Sequence, residues 1–544
     1  MYPTADINCL NHAISRTTIN LISKKLINYI YFLKTTVFHL FSSFVMGIIK
    51  VRGIEEMIIN FTVQNYKSIK ARMLLNLTAA KRLKLVDTIP VSRYGMNVLP
   101  VTGIYGANGS GKSNLAKAIK FMKSRLLGEI TAPIPFLYES EEQERMPSEF
   151  SMLFTDDAGL MYHYGFSIYG LEIIEEWLSA YYTKRESVLF TRTRDNADEE
   201  FEYYYGSRFI EATTGGRNYL EFTRKSLSPQ KLFLSELAER NINTACNDVK
   251  SWFDNQLIII DPDTSTYGIT ERILQDEEYS SKVTEALKQM DFDFDGFDVM
   301  HKEIDLETIL NSELYDNEER VRIRQEIENA KEGVWVSRNR KHVIYQKTKD
   351  GHLSEKCLYI RHSRKDGSST RLPISETSSG FKRLLDFSSL VIDNSSLANA
   401  SIVIDEIERS LHTMISQNLI SLFKANSLAG LHSQLLFITH DTNLLNLDIL
   451  RRDEIEFMEK DGNDNSSYIT NYAEFKVIPG LNIERGYLEG RFGAIPKIKM
   501  PILTGILHNQ DSHYVYFPRD YNLYSLQYKF PGTLLVILLT SATI

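Results

Sequence analysis

One stretch of the sequence has the residue types and spacing that hold phosphate groups. Residues 106–113 are Gly-Ala-Asn-Gly-Ser-Gly-Lys-Ser, which match the phosphate-loop pattern Gly-x-x-x-x-Gly-Lys-Ser/Thr. Glycines let the backbone amides of such a loop curve around a phosphate, and a following helix adds the positive end of its dipole. We expect Lys112 to bridge the β- and γ-phosphates of a nucleotide and Ser113 to hold Mg²⁺. The nucleotide-binding residues predicted in this stretch are Gly106, Asn108, Gly109, Gly111, Lys112, Ser113 and Asn114.

A second apolar segment ends in two carboxylates. Residues 401–406 are Ser-Ile-Val-Ile-Asp-Glu, and an uninterrupted β-branched run is typical of a buried parallel strand. We expect Asp405 to contact the water shell of the Mg²⁺ ion and Glu406 to polarise the attacking water. Similar segments also occur at strand ends that bind nothing, but the phosphate loop in the same chain favours the catalytic interpretation.

A third apolar segment, residues 434–439, ends at His440. The interval after Glu406 has room for one helix and a turn, so a parallel strand would return His440 to the sheet edge that carries Asp405 and Glu406. There it could sense the γ-phosphate through a hydrogen bond, whereas the alternative is a histidine buried in the core. The predicted catalytic residues are Glu406, His440 and Lys112, and the predicted metal-binding residues are Ser113 and Asp405.

Two serines and a glycine precede a helical pattern over residues 384–391. Ser378, Ser379 and Gly380 could form a second anion site, because hydroxyls and helix amides would point outward there. The alternative is a simple N-cap, in which a serine only satisfies helix amides.

The elements that must position these residues indicate an α/β fold, a P-loop NTPase with an inserted α+β lid. Strands are predicted over 57–63 and 98–105, and a helix over 113–123. The insertion would contain alternating strands over 150–174 and 201–222 and helices over 232–253 and 306–331. The expected divisions are an extension (1–56), an N-terminal head part (57–190), a lid and effector-binding region (191–370), a C-terminal head part (371–500) and a tail (501–544).

The composition limits the classes of protein that the chain can belong to. Its 544 residues are 43% hydrophobic and 24% charged, which excludes a disordered or fibrous chain. Cys9, Cys246 and Cys357 are far apart, so we expect neither a disulfide framework nor a zinc ribbon, and a cytoplasmic location. A net charge of -8 means that any nucleic-acid contact needs a local basic face.

The two ends of the chain differ from its middle. Residues 1–56 contain an apolar run over 27–49 that is long enough to span a bilayer. It could be upstream sequence if translation starts at Met57, a membrane anchor, or a buried or interfacial helix; we expect no membrane association. In the tail, the last apolar run (534–539) is too short to cross a membrane and could be an edge strand.

The order of these motifs resembles the ABC-type ATPase head shared by SMC-like and RecF-like proteins. The phosphate loop comes first, followed by the Ser-Ser-Gly helix, the Asp-Glu strand and the His-Asp strand. The resemblance implies two ATP molecules buried in a head-to-tail homodimer, or a higher homo-oligomer. It also implies that Ser379 and Gly380 contact the ATP of the opposite subunit, with Arg383 close by.

Several segments resemble more closely the bacterial abortive-infection ATPases of the AbiL type, which are similar to RloA and to the PARIS ATPase AriA. These segments are 61–70, 146–169, 376–385, 405–412 and 451–496. The resemblance implies an AAA-family ATPase that acts as a sensor or switch in anti-phage defence. It further implies a separately encoded Toprim-like nuclease effector, with a phage protein as a possible trigger. Phe381 and Lys382 replace the usual Thr-Gln, which could alter the contact with the opposite subunit.

Two other functions stay open. One is a RecF-like DNA repair ATPase, and the other is an ATPase-nuclease of the overcoming-lysogenization-defect type. The second would need a carboxylate cluster after Glu459, and no Asp-x-Asp strand follows there. Basic residues at 338–342 and 361–365, with Tyr345 and Tyr359, could contact nucleic-acid phosphates and stack on bases, although a solvated strand face is the alternative.

Overall fold

The computed structural model describes residues 56–494 with gaps, together with two strands near the C-terminus. The gaps are 92, 139–144, 196–198, 263–271, 274–275, 291, 393–397, 477–481 and scattered positions from 312 to 351. The apolar run at 27–49 and the basic cluster at 338–342 therefore lie outside the described residues. Among the residues described, no helix is both long enough and apolar enough to span a bilayer.

Most helices and strands lie in the first of two units, Met1–Pro496, and the second unit is Lys497–Ile544. The strands of the first unit are β1 (Ile58–Gln64), β2 (Met73–Asn76), β3 (Ile89–Val91), β4 (Met96–Val98), β5 (Val101–Tyr105), β6 (Ser148–Thr155), β7 (Met161–Tyr169), β8 (Glu172–Tyr181), β9 (Ser187–Thr193), β10 (Glu202–Tyr205), β11 (Leu257–Ile260), β12 (Gly296–Ile304), β13 (Gly333–Val336), β14 (Val343–Lys347), β15 (Leu353–Ser363), β16 (Ser369–Pro373), β17 (Ser401–Ile404), β18 (Gln434–Thr439), β19 (Ile455–Lys460) and β20 (Ser467–Asn471). The helices are α1 (Lys112–Leu126), α2 (Ser207–Glu211), α3 (Gly216–Ser226), α4 (Phe233–Glu239), α5 (Thr244–Ser251), α6 (Glu277–Gln289), α7 (Leu306–Leu310), α8 (Ser379–Ile392), α9 (Thr413–Asn426) and α10 (Ile483–Leu488). In the second unit, β21 (Tyr524–Phe530) and β22 (Thr533–Leu539) form an antiparallel hairpin.

A six-stranded sheet carries the phosphate loop, in the order β11-β17-β18-β5-β19-β20. Its first five strands are parallel, and only β20 is antiparallel. All residues of β5, β17 and β18 are buried, as expected for strands covered on both faces. Because their carboxyl ends meet at one edge, the phosphate loop, the Asp-Glu pair and His440 come together, and the predicted α/β arrangement is confirmed.

A second sheet of seven antiparallel strands, β10-β9-β8-β7-β6-β1-β2, packs against α1. Leu115 and Ile119 of α1 share one hydrophobic core with Phe61 and Phe150 of this sheet and with Leu436 of the nucleotide sheet. The helix that follows the phosphate loop is therefore held between two sheets. Truncating one of its buried leucines would cost about 2–5 kcal/mol of stability.

The structure differs from the predicted insertion in two respects. Strand β10 is followed by α2 and α3, so the prediction of alternating strands over 201–222 is wrong beyond Tyr205. Gly215 and Gly216 have positive φ angles of 79° and 57° and begin α3 instead of closing a hairpin. In addition, the predicted boundary at residue 190 cuts through β9, and β11 is the edge strand of the nucleotide sheet. A run of only four apolar residues, such as β11, shows no periodicity that would assign it to the ATPase head or to the inserted lid.

Within the insertion, β12, β15, β14 and β13 form a third sheet, with β16 paired to β15. The side chain of Tyr345 is only 2% exposed, so its ring is not available for stacking on a base. Arg361 pairs with Asp298 at 2.7 Å, and Arg371 binds the second oxygen of the same carboxylate at 2.6 Å. These contacts favour a structural role for Arg361 and Arg371.

The segment after α10 folds back onto the nucleotide sheet. The ring of Phe492 stacks on Phe457 of β19 with centroids 5.6 Å apart, and Tyr487 stacks on Phe457 as well. The Tyr487 hydroxyl donates a hydrogen bond to the carbonyl of Ala494 at 2.7 Å. The residues that carried the C-terminal part of the resemblance therefore belong to the core beside the phosphate-loop strand.

Candidate nucleotide-binding site

The phosphate loop joins β5 to α1, and close packing requires glycine at both of its ends. A Cβ atom at Gly106 would lie 2.3 Å from the carbonyl oxygen of Met458, and one at Gly111 would lie 2.2 Å from Ser467 Oγ. Gly111 also has a φ angle of 106°, in the left-handed region that favours glycine. The loop can therefore approach the neighbouring β19–β20 hairpin only because these two positions lack side chains.

Lys112 lies at the base of the loop with its ammonium group directed at the backbone. Lys112 Nζ donates hydrogen bonds to the carbonyl oxygens of Gly106, at 2.7 Å, and Ala107, at 3.0 Å. Burial lowers the pKa of Lys112, and the carboxylates of Glu408, Asp405 and Glu406 oppose that shift, with Glu408 contributing most. The loop thus has a buried positive charge at the position where the sequence predicted phosphate binding.

Ser113 and Asp405 meet across the same cleft. The hydroxyl of Ser113 donates a hydrogen bond to Asp405 Oδ1 at 3.2 Å. Burial raises the pKa of Asp405, while the hydrogen bond from Ser113 and the charge of Lys117 oppose the shift. A hydroxyl and a carboxylate are hard oxygen donors of the kind that Mg²⁺ takes when phosphates and waters complete its shell, so this pair fits the predicted ion. No group of three or more His, Cys, Asp or Glu that could hold a metal occurs in the described part of the chain.

Glu406 lies at the mouth of the cleft on a strained backbone. Its φ angle is 54°, a left-handed conformation that is uncommon for a residue other than glycine. The backbone is fixed on both sides, because the amide of Asp405 donates to Ile260 and the amide of Ile407 donates to Ile438, at 3.0 and 3.2 Å. The Glu406 carboxylate is 38% exposed and lies 3.8 Å from Arg409. The neighbouring strands therefore set the direction of this side chain.

His440 is anchored by a residue that sequence analysis missed. Glu408 Oε1 accepts a hydrogen bond from the backbone amide of His440 at 3.0 Å and lies 2.9 Å from His440 Nδ1. The only available signal was an Asp-Glu-x-Glu spacing, in which the last glutamate is easily interpreted as a surface residue.

A cleft of about 370 Å³ unites most of the predicted residues. Its lining consists of Asn108, Gly109, Gly111, Lys112, Ser113, Asn114, Asp405, Glu406, Ile438, Thr439 and His440. Gly106 is not part of the lining and packs against the backbone of Met458. Ser378, Ser379 and Gly380 do not belong to the lining either. The roles assigned to the individual residues remain predictions.

The start of α8 lies close to the turn that follows the acidic strand. Ser378 Oγ accepts a hydrogen bond from the amide of Phe381 at 3.1 Å, as an N-cap does. Both Ser378 and Ser379 are exposed. A Cβ atom at Gly380 would lie 2.7 Å from the carbonyl oxygen of Ser410. Ser378 therefore caps its own helix, and Ser379 beside it is accessible for contact with another molecule.

Arg383 links α8 to the acidic strand. Its guanidinium group donates to the carbonyl oxygens of Asp405, at 3.4 Å, and Asp261, at 3.3 Å, and lies over the ring of Phe387. The side chain is buried, so it acts within its own subunit as a structural link between α8 and the ends of β17 and β11. The sequence had placed Arg383 only close to the contact with the opposite subunit.

Two polar residues behind the phosphate loop, Ser68 and Ser467, were also missed as part of the site. Ser68 Oγ accepts hydrogen bonds from Asn114 Nδ2 at 2.7 Å and from Ser467 Oγ at 2.8 Å. Ser467 Oγ also lies 2.7 Å from the carbonyl oxygen of Ser110. These contacts join the segment after β1, the start of α1 and the start of β20, so they fix the position of the loop. Only Asn114 was among the predicted residues.

Comparison with known proteins places the chain in a family and gives distant structural likenesses. The family model described as "AAA domain, putative AbiEii toxin, Type IV TA system" matches residues 101–446, well over half of the chain. No curated protein sequence matches significantly.

Similar solved structures include the SMC head domain from Thermotoga maritima, with 12% identity, a TM-score of 0.30, and coverage of 77% of this chain and 99% of that one. An Smc head domain with an extended coiled coil, bound to the C-terminal domain of ScpA derived from Pyrococcus furiosus, has 14% identity, a TM-score of 0.30 and coverages of 80% and 99%. The recombination mediator protein RecF has 12% identity, a TM-score of 0.30 and coverages of 77% and 99%. The family match includes the phosphate loop, the acidic strand and His440, and on this basis the chain belongs to the AAA-domain family of that description.

Proposed function

We propose that this protein binds and hydrolyses ATP in a head-to-tail dimer and acts as a switch in anti-phage defence. The observation that carries the ATPase part is the convergence of Lys112, Ser113, Asp405, Glu406 and His440 on one cleft. The histidine follows β18, which pairs with the phosphate-loop strand β5, and the acidic pair follows β17, which pairs with β18. Both strands are distant from the loop in sequence. This combination of groups suits phosphoryl transfer to water.

In the proposed mechanism, the loop amides and Lys112 bind the β- and γ-phosphates. Ser113 and Asp405 would hold Mg²⁺, which supplies positive charge to the phosphate oxygens. Glu406 orients the attacking water and accepts its proton, and His440 forms a hydrogen bond with the γ-phosphate. The rigid attachment of Glu406 to β11 and β18 supports this assignment, because a general base must be held within hydrogen-bond reach of the water.

The dimer is proposed because exposed Ser379 lies outside the lining of the cleft in its own subunit. We expect neither Lys112→Ala nor Ser379→Ala to hydrolyse ATP alone, whereas an equimolar mixture should regain activity. Each mixed dimer would combine the intact loop of one subunit with the intact Ser379 of the other. Since half of randomly formed dimers are mixed and each has one complete site, the recovered rate should be roughly a quarter of the wild-type rate.

The control for this complementation is a mixture of Lys112→Ala with Glu406→Gln. Both of those residues serve the cleft of the same subunit, so that mixture should stay inactive. If the mixture with Ser379→Ala also stays inactive while each variant binds its partner, Ser379 does not act in the opposite subunit. Ser378→Ala is a further control, since loss of the N-cap should lower stability by about 1 kcal/mol without showing complementation.

The defence role rests on the resemblance to abortive-infection ATPases of the AbiL, RloA and AriA type, and it includes a separate nuclease effector. Cells that carry the chain with its neighbouring reading frame should resist a panel of phages, and Lys112→Ala should remove that protection. Deleting the neighbouring frame should remove it as well. Full protection by the chain alone would contradict the proposed effector, and the absence of protection against every phage of the panel would contradict the defence role.

A further inference from the structure

Glu408 occupies an unusual position for a residue of a surface turn. It follows the acidic strand by four residues, and its side chain is nine-tenths buried. One oxygen, Oε1, is shared between the backbone amide and the Nδ1 atom of His440, at 3.0 and 2.9 Å. A single carboxylate oxygen therefore fixes both the main chain and the ring of the residue predicted to contact the γ-phosphate.

The other oxygen of Glu408 is buried as well. Within the described part of the chain, Oε2 has no hydrogen-bond partner. Leaving a buried acceptor without a partner is energetically unfavourable, so such an arrangement is unexpected for a residue whose role is only to stabilise the fold. An unsatisfied buried polar atom in a folded protein calls for an explanation, and a catalytic role of the residue is one such explanation.

The contact also determines which nitrogen of His440 remains for the cleft. A carboxylate can only accept hydrogen bonds, so the ring nitrogen next to it, Nδ1, must carry a proton. Nε2 is then the nitrogen that is free to interact with groups in the cleft that His440 lines. Phosphate oxygens also only accept, so Nε2 must carry a proton as well when it contacts the γ-phosphate. A hydrogen-bond partner on the other ring nitrogen orients functional histidines in this way.

We propose that Glu408 is the positioning residue of His440, holding its ring with Nδ1–H toward the Glu408 carboxylate so that Nε2–H faces the γ-phosphate site. The proposal deepens the proposed ATPase function and rests on it. Glu408 would not touch the nucleotide itself. Its effect on the rate of hydrolysis would therefore depend on the presence of His440, whereas its charge also favours the charged form of Lys112.

The kinetic test is a double-mutant cycle on the full chain with Glu408→Gln and His440→Ala. Glu408→Gln keeps the shape of the side chain and should lower the single-turnover rate of ATP hydrolysis about 10- to 100-fold, while the Kd for ATP changes less than about threefold. In the His440→Ala background, the same substitution should have no further effect. An equal loss in both backgrounds, or a wild-type rate for Glu408→Gln, would overturn the proposal.

A matched control is Glu456→Gln on β19. Burial raises the pKa of Glu456 to about 8, and Asn471 donates a hydrogen bond to its carboxylate at 2.8 Å. This glutamate is buried even more deeply than Glu408 but lies outside the cleft lining. Its replacement should leave the rate of hydrolysis unchanged. A similar decrease in both variants would show that the loss follows from changing a buried carboxylate and not from the contact with His440.

A direct measurement does not depend on hydrolysis. Nitrogen NMR of the wild-type chain with ¹⁵N-labelled histidine gives the tautomer of each ring, and the His440 signals are identified by their loss in His440→Ala. With a non-hydrolysable ATP analogue bound, we expect protons on both ring nitrogens of His440 in the wild type and loss of the Nδ1 proton in Glu408→Gln. A wild-type His440 ring without a proton on Nδ1 would overturn the proposal even if the variant does not fold. A chain that shows both ring protons but no ATPase activity would instead contradict the proposed function.

Discussion

Replacing Lys112 by alanine is expected to abolish ATP binding, with a loss of affinity of at least about 100-fold. In the wild type, the ammonium group is buried and is held by the carbonyl oxygens of Gly106 and Ala107. Alanine would remove the positive charge from the loop but leave the carboxylates of Asp405, Glu406 and Glu408 near it. The triphosphate would then meet these carboxylates without the ammonium group, which is unfavourable at short range. Isothermal titration with a non-hydrolysable ATP analogue measures the effect.

Lys120→Ala is the matched control for this experiment. Lys120 belongs to the same helix, is half exposed and pairs with Asp261 outside the cleft lining. An exposed ion pair contributes about 0–1 kcal/mol, so this variant should bind the analogue like the wild type. Thermal unfolding of both variants separates lost affinity from lost structure. Wild-type affinity in a folded Lys112→Ala variant would contradict the assignment of the phosphate loop.

The nucleotide sheet and its cleft were largely predictable because their signals are local. The strands before the loop, before Asp405 and before His440 are short uninterrupted apolar runs, which buried parallel strands produce. Since parallel strands bring their carboxyl ends to one edge, three motifs far apart in sequence could be assigned to one site. The loop residues followed from the pattern of glycines, lysine and serine alone.

The supporting contacts could not be predicted, because they join segments that are distant in sequence. Ser68 and Ser467 meet behind the loop although 399 positions separate them, and neither has a distinctive neighbourhood. In the sequence, nothing distinguishes Glu408 from a solvated glutamate. Its burial and its contact with His440 arise only in the folded chain. The helices after β10 were missed for a different reason, since the packing of a short segment against a sheet decides between helix and strand.

The second large effect is expected for Glu406→Gln, which should bind ATP with wild-type affinity and hydrolyse it at least about 100-fold more slowly. Lys112, Ser113 and Asp405 are unchanged in this variant, so the groups proposed to bind the phosphates remain. Glutamine has nearly the shape of glutamate, but its amide cannot accept the proton of the attacking water. The substitution also leaves the hydrogen bonds that fix the strained backbone at position 406 in place. Single-turnover hydrolysis and equilibrium binding of ATP measure the two properties separately.

The same variant should also accumulate as an ATP-bound dimer, because the proposed dimer opens only after hydrolysis. Sedimentation with ATP should then show a species of twice the mass of one chain for Glu406→Gln, and much less of it for Lys112→Ala. Glu149→Gln is the matched control, since Glu149 is 27% exposed and lies 3.8 Å from Arg72, much as Glu406 lies 3.8 Å from Arg409. The control should hydrolyse ATP like the wild type, because Glu149 does not belong to the cleft lining. Wild-type turnover by Glu406→Gln would show that Glu406 is not a catalytic residue. Slow turnover without a dimer would show that each ATP site is formed by a single subunit.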